Sequence, residues 1–157
     1  MREGIYTIHR ACSCMTRRSH GEVSEEQREF ENLLTTRTFE NFKINSEWQK
    51  DLLKRAKAWT RQTEYPFLYI GGKTSTGKTH LAIAALYSLM QRGFAGKYVS
   101  WRKESRDLKM RMTEYGYYDS KLKALKTATV LLIDDFLWQL NGAMPSDEDF
   151  RLAKEII

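Results

Sequence analysis

Apolar residues along the chain fall into two kinds of run, spaced helical stripes in the first third and short unbroken blocks afterwards. Ser24-Glu25-Glu26-Gln27 has the form of a capping box, and Phe30, Leu33 and Leu34 follow at helical spacing. Thr35-Thr36-Arg37-Thr38 interrupts that stripe and reads as a linker. A second helix is expected from Asn45 or Ser46 to about Arg61, with Trp48, Leu52, Leu53, Ala56 and Trp59 on one buried face. From Tyr65 the texture changes. Phe67-Leu68-Tyr69-Ile70 is wholly apolar, as a strand covered on both faces would be. A helix over Leu81 to Gln91 stops at Gly93, and a strand is expected over Lys97 to Trp101. A charged helix then runs to about Tyr115, and Val130-Leu131-Leu132-Ile133 forms a third apolar strand. Asn141 to Pro145 reads as a turn, after which Ser146 caps a last helix through Asp149. Strands alternating with helices predict an α/β fold with a parallel sheet. Before Ser24 the one strand-like run is Ile5-Tyr6-Thr7-Ile8.

Between the first apolar block and the next helix lies Gly72-Lys73-Thr74-Ser75-Thr76-Gly77-Lys78-Thr79, which meets every fixed position of a phosphate-binding loop. Backbone N–H groups of such a loop converge on phosphate oxygens, and Gly77 admits close approach without a Cβ. Lys78 supplies a cation, the Thr79 hydroxyl can ligate magnesium, and the following helix aims its dipole at the same charge. His80 follows directly. Its neighbourhood makes it part of the nucleotide-binding stretch without a catalytic role.

The third apolar block ends in Asp134 and Asp135, about 50 residues downstream of the loop. A buried strand that delivers carboxylates at its C-terminal edge places them where open α/β sheets bind ligands. Asp134 is expected to hold the magnesium ion and Asp135 to orient the attacking water, with Lys78 completing the catalytic set. A small-molecule kinase fits less well, since adjacent aspartates suit water activation better than an acceptor pocket.

These residues carry a resemblance. Phe67 to Gly72, the run Gly77-Lys78-Thr79-His80-Leu81 and Leu131 to Phe136 resemble the DnaC-like replicative helicase loaders, AAA+ ATPases close to the transposition helpers of the IstB type. Thr38-Phe39-Glu40-Asn41-Phe42 is similar to the segment that leads into that family's nucleotide-binding core, and Cys12-Ser13-Cys14 to the end of its cysteine-bearing N-terminal region. The resemblance implies a P-loop NTPase of AAA+/RecA-like type, a parallel sheet flanked by helices. On that reading residues 1–37 are a basic, helical extension and 38–157 an incomplete nucleotide-binding domain. It also implies ATP and magnesium as cofactors, a replicative ring helicase and single-stranded DNA as partners, and self-association through the ATP sites. Ser75 departs from the family's usual glycine, and no Cys-x-x-Cys precedes Cys12. The family's sensor strand, arginine finger and helical lid follow the point corresponding to Ile157, so a truncated product or fragment is expected. Without the sensor strand, the strands at 67–70 and 130–133 would have to pair directly or leave backbone groups unsatisfied.

Composition adds little that contradicts this. Lys and Arg number 26 against 20 Asp and Glu, a net charge of +6 that favours polyanionic partners. No apolar run reaches the ~18 residues of a membrane helix, and the first residues lack a secretory core, so a cytoplasmic protein without membrane contact is expected. A zinc set of His9, Cys12, Cys14 and His20 can be written, but Cys-x-Cys lacks the usual gap, and reduced passive thiols fit better. Among the tryptophans, Trp48 and Trp59 suit core packing, whereas Trp101 beside Arg102 and Lys103 is the strongest candidate for base stacking. Lys103, Arg106, Lys109 and Arg111 form a basic helix face, and Tyr115, Tyr117 and Tyr118 around Gly116 read as a loop over DNA or a helix terminator. Three functions stay open: a helicase loader, a transposase-helper ATPase, and an adaptor that holds ATP with little hydrolysis.

Overall fold

A computed structural model describes residues 24–62, 67–137 and 144–157. The run at 5–8, His9, Cys12, Cys14, His20, Trp138 and most of the turn at 141–145 lie outside the described residues.

Helix α1 spans Glu25–Thr36, and the Ser24 side chain caps it by accepting from the Gln27 backbone N–H. The expected linker at 35–38 begins later than its composition indicated. Thr35 and Thr36 remain helical, and their hydroxyls donate back to the Asn32 carbonyl within the last turn. Helix α2 spans Glu47–Trp59 and follows Ser46. Its inner face is narrower than its stripe implies. Ala56 is buried and Leu52 and Leu53 pack beside it, but Trp48 is 53% exposed, one turn too early to reach the core.

Helix α3, Lys78–Gln91, is the centre of the fold. Leu81, Ile83, Ala84, Ala85, Leu86 and Leu89 are all buried, so the helix is apolar around most of its circumference. That pattern belongs to a helix covered on several sides. On one side Leu81, Ala84 and Ala85 pack with Phe39, Phe42 and Ala56. On another the helix approaches the sheet so closely that a Cβ on Gly96 would lie 2.7 Å from Leu86 and Met90 side-chain atoms.

The sheet among the described residues has two parallel strands, β1 (Gly96–Ser100) and β2 (Val130–Asp134). Their register pairs Tyr98 with Leu132, Val99 with Ile133 and Ser100 with Asp134. Side chains alternate between faces. Val99, Leu131 and Ile133 therefore join Trp101, Leu108, Leu122, Leu125, Leu152 and Ala153 in the cluster beneath. That cluster is built by α4 (Trp101–Met110), α5 (Tyr117–Lys126) and α6 (Asp147–Ile156).

Several expectations change here. Phe67 to Ile70 is not a strand. β2 makes its ladder with β1, and the 67–70 run is neither paired with β2 nor buried: Phe67 is 73% and Tyr69 86% exposed, so water can serve that backbone. Only Ile70 packs inward, beside Phe39 and Phe42. Trp101 opens a helix instead of closing a strand. The charged helix ends at Met110, and Gly116 begins a further helix, α5, that was not anticipated. Its signal was present, since Tyr118, Leu122 and Leu125 recur at helical spacing and Leu122 and Leu125 are buried. The last helix continues well beyond Asp149, to Ile156.

Candidate functional site: a glycine loop against an acidic strand edge

The loop at 72–79 turns from the exposed run into α3. Three of its residues have positive φ: Gly72 at 143°, Ser75 at 62° and Gly77 at 91°. At Gly77 the requirement is double. A Cβ would be strained by that φ and would lie 2.7 Å from the Phe42 ring. Ser75 adopts the left-handed conformation despite its side chain, which costs about 1–2 kcal/mol. The loop thus turns where the family's glycine would sit, with the strain retained.

Within the loop, the Thr76 hydroxyl donates to the Lys73 carbonyl at 2.8 Å and the Lys78 ammonium donates to the same oxygen at 2.7 Å. Lys78 therefore folds back across the loop, with its charge held at the N-terminal end of α3. His80 Nε2 donates to the Thr38 carbonyl at 2.8 Å, and its ring meets Phe42 edge-on with centroids 5.3 Å apart. Thr38 to Phe42 thereby braces the start of α3 from behind. Only the similarity of that segment pointed to it; its contacts join positions 42 residues apart.

The decisive contact crosses 55 positions of sequence: Thr79 Oγ1 donates to Asp134 Oδ1 at 3.0 Å. The end of the glycine loop and the end of β2 meet. A threonine hydroxyl that donates its hydrogen still presents oxygen lone pairs, and the second carboxylate oxygen adds more. Hard oxygen donors of this kind suit magnesium, which takes few protein ligands and completes its shell with phosphate and water. The residues present fit a magnesium-bound nucleotide. Asp135, exposed and at φ 52°, stands one residue beyond.

A further group at this edge was read from sequence only as part of a strand. The Tyr98 hydroxyl donates to Asp134 Oδ2 at 3.3 Å, and its ring stacks on Phe30 of α1 at 6.1 Å between centroids. The register explains the contact, because Tyr98 pairs with Leu132 and so shares a face with Asp134 two residues on. Burial first, then the charge and hydrogen bond of Asp134 and the charge of Asp135, push the Tyr98 phenol up to about 12, against a smaller opposing effect of Arg37. It stays a donor at neutral pH.

The residues proposed for nucleic acid fare differently. Trp101 is 1% exposed and meets Phe136 edge-on at 5.0 Å, so it is a core residue and not a stacking platform. Of the basic residues on and just after α4, Lys109 pairs with buried Asp149 at 2.7 Å, Arg111 with Asp107 at 3.2 Å, and Lys103 with Glu29 at 3.8 Å. Tyr117 and Tyr118 lie on α5, not on a free loop, and donate to Asp107 of α4 and Glu155 of α6; of the three tyrosines Tyr115 alone is fully exposed. No helix among the described residues is long and apolar enough to cross a membrane.

Comparison with curated proteins finds no match to the chain. The family profile described as IstB-like ATP binding protein matches residues 15–145, a span that contains the glycine loop, the Thr38–Phe42 brace and both aspartates. With most of its length matched and its loop and acidic strand edge joined as a P-loop nucleotide site requires, the chain belongs to the IstB-like ATP-binding family of AAA+ proteins.

Proposed function

We propose that the chain is a magnesium-dependent ATPase that loads or remodels a replicative ring helicase on single-stranded DNA. The observation that carries the nucleotide chemistry is the Thr79–Asp134 hydrogen bond. In this reading the N–H groups of Gly72 to Thr79 cradle the phosphates, and the Lys78 ammonium leaves the Lys73 carbonyl for a phosphate oxygen. Thr79 and Asp134 hold the metal, which when bound neutralises phosphate charge. Asp135 orients the attacking water. His80 contributes by fixing the first turn of α3 to Thr38.

The test uses two substitutions. Lys78→Ala abolishes binding of magnesium-ATP, whereas Asp135→Asn retains binding and lowers turnover by about 100-fold. Equilibrium binding of a fluorescent ATP analogue and phosphate release read the two effects. Unaltered affinity in the lysine variant would rule the assignment out.

The IstB-like match is equally compatible with a second reading, in which the partner is a transposase. ATP turnover measured with single-stranded DNA and a ring helicase, against duplex DNA and a transposase, separates them. Turnover that no DNA or partner stimulates points instead to an adaptor that holds ATP.

A further inference from the structure

The Asp134 carboxylate is held from two sides by two hydroxyls of different origin. Thr79 belongs to the glycine loop and engages Oδ1; Tyr98 belongs to the neighbouring strand and engages Oδ2. A carboxylate bound at one oxygen only can swing about its Cβ–Cγ bond. One bound at both has its plane set before any metal arrives. Groups that hydrogen-bond a metal's direct ligands in this way orient those ligands and tune their basicity.

The tyrosine is itself held. Its ring stacks on Phe30 with an angle of 15° between planes, and the backbone beneath it is fixed by the β1–β2 register. Phe30 lies on α1, outside the loop and the sheet, and Lys103 of α4 reaches Glu29 on the same helix. The first helix thereby touches the acidic edge through one aromatic pair.

We propose that Tyr98 is a positioning residue for the metal-binding carboxylate, and that α1 sets its place through Phe30. This rests on the reading of Asp134 as the metal ligand. In this role the hydroxyl acts through Asp134 and forms no bond in the reaction. It fixes the plane of the Asp134 carboxylate, whose two oxygens each keep a lone pair for magnesium. A phenol suits this task better than a serine or threonine at the same position, because its reach spans the diagonal from Leu132's partner to Asp134 while its ring anchors on Phe30.

The experiment is a magnesium titration of the whole chain with a fluorescent ATP analogue at fixed concentration, on wild type, Tyr98→Phe, Phe30→Ala and Lys78→Ala. Tyr98→Phe keeps the ring and its stacking and removes only the donor. It is expected to raise the magnesium concentration for half-maximal binding about tenfold, with the plateau recovered at high magnesium and metal-free nucleotide affinity unchanged. Phe30→Ala shifts the midpoint the same way by a smaller factor. An unshifted midpoint in Tyr98→Phe, with Lys78→Ala still inactive in binding, overturns the role of Tyr98 and leaves the nucleotide site standing. A Tyr98→Phe loss that extends equally to metal-free nucleotide also overturns it, since that marks general disruption. If Lys78→Ala binds as wild type does, both readings fall together.

Discussion

Ser75 holds its left-handed conformation at φ 62° where a glycine would do so without strain. Ser75→Gly is therefore expected to raise stability by about 1 kcal/mol, measured by urea denaturation, with nucleotide affinity within twofold of wild type. The strain sits in the loop proposed to bind phosphate, so its relief tests whether loop stability and loop chemistry are separable. At Gly77 they are not. The same residue carries a positive φ and faces the Phe42 ring, so any side chain there disturbs the loop and the brace behind it at once.

Helix α6 illustrates how a local signal and a long-range partner combine. Ser146 and Asp149 form a reciprocal capping box, with Asp149 Oδ2 accepting from the Ser146 N–H at 3.0 Å and the Ser146 hydroxyl accepting from the Asp149 N–H at 3.2 Å. The other oxygen of Asp149, a residue 2% exposed, accepts from Lys109 of α4 at 2.7 Å. Burial raises the Asp149 carboxyl, but the hydrogen bonds from Lys109 and Ser146 outweigh it and leave it below its ordinary 3.8. A folded value below the unfolded one stabilises the native state above the ordinary value, and that contribution is lost as pH falls through the folded value. Asp149→Ala is accordingly expected to cost about 3 kcal/mol at neutral pH, since it leaves the Lys109 ammonium half-buried without its partner. In Asp149→Asn the decline in stability below about pH 4 becomes shallower, which chemical denaturation across a pH series checks.

The apolar residues form two separate clusters, one against α3 and one against the sheet. Phe39 and Phe42 close one cluster over α3, while Val99, Leu131 and Ile133 close the other beneath the sheet. Because Phe42 also backs Gly77 and the His80 ring, the packing that stabilises the molecule is the packing that shapes the loop. Phe42→Ala is expected to lower unfolding free energy by about 3–4 kcal/mol. Part of that loss returns with saturating magnesium-ATP, because a ligand that binds the folded form stabilises it by mass action. Thermal unfolding with and without nucleotide reads both effects.

Much of this was readable along the chain. The glycine loop, the apolar strand ending in two aspartates, the caps at Ser24 and Ser146 and the α/β alternation all depend on residue types at short, fixed separations, which local backbone geometry dictates. What escaped depends on which faces are brought together over long separations. Trp101, beside two cations, was the strongest candidate among the tryptophans for base stacking, yet the first turn of α4 points it into the cluster against Phe136. Phe67 to Ile70 has the composition of a buried strand, but composition supplies no ladder partner, and the ladder among the described residues joins β2 to β1. Tyr98 met Asp134, and Thr79 met it from the other side, only because strand register and the approach of α3 place three separate segments at one edge. Chemistry is written in the spacing of neighbours; the company each group keeps is settled by packing, where every contact competes with alternatives hundreds of atoms away.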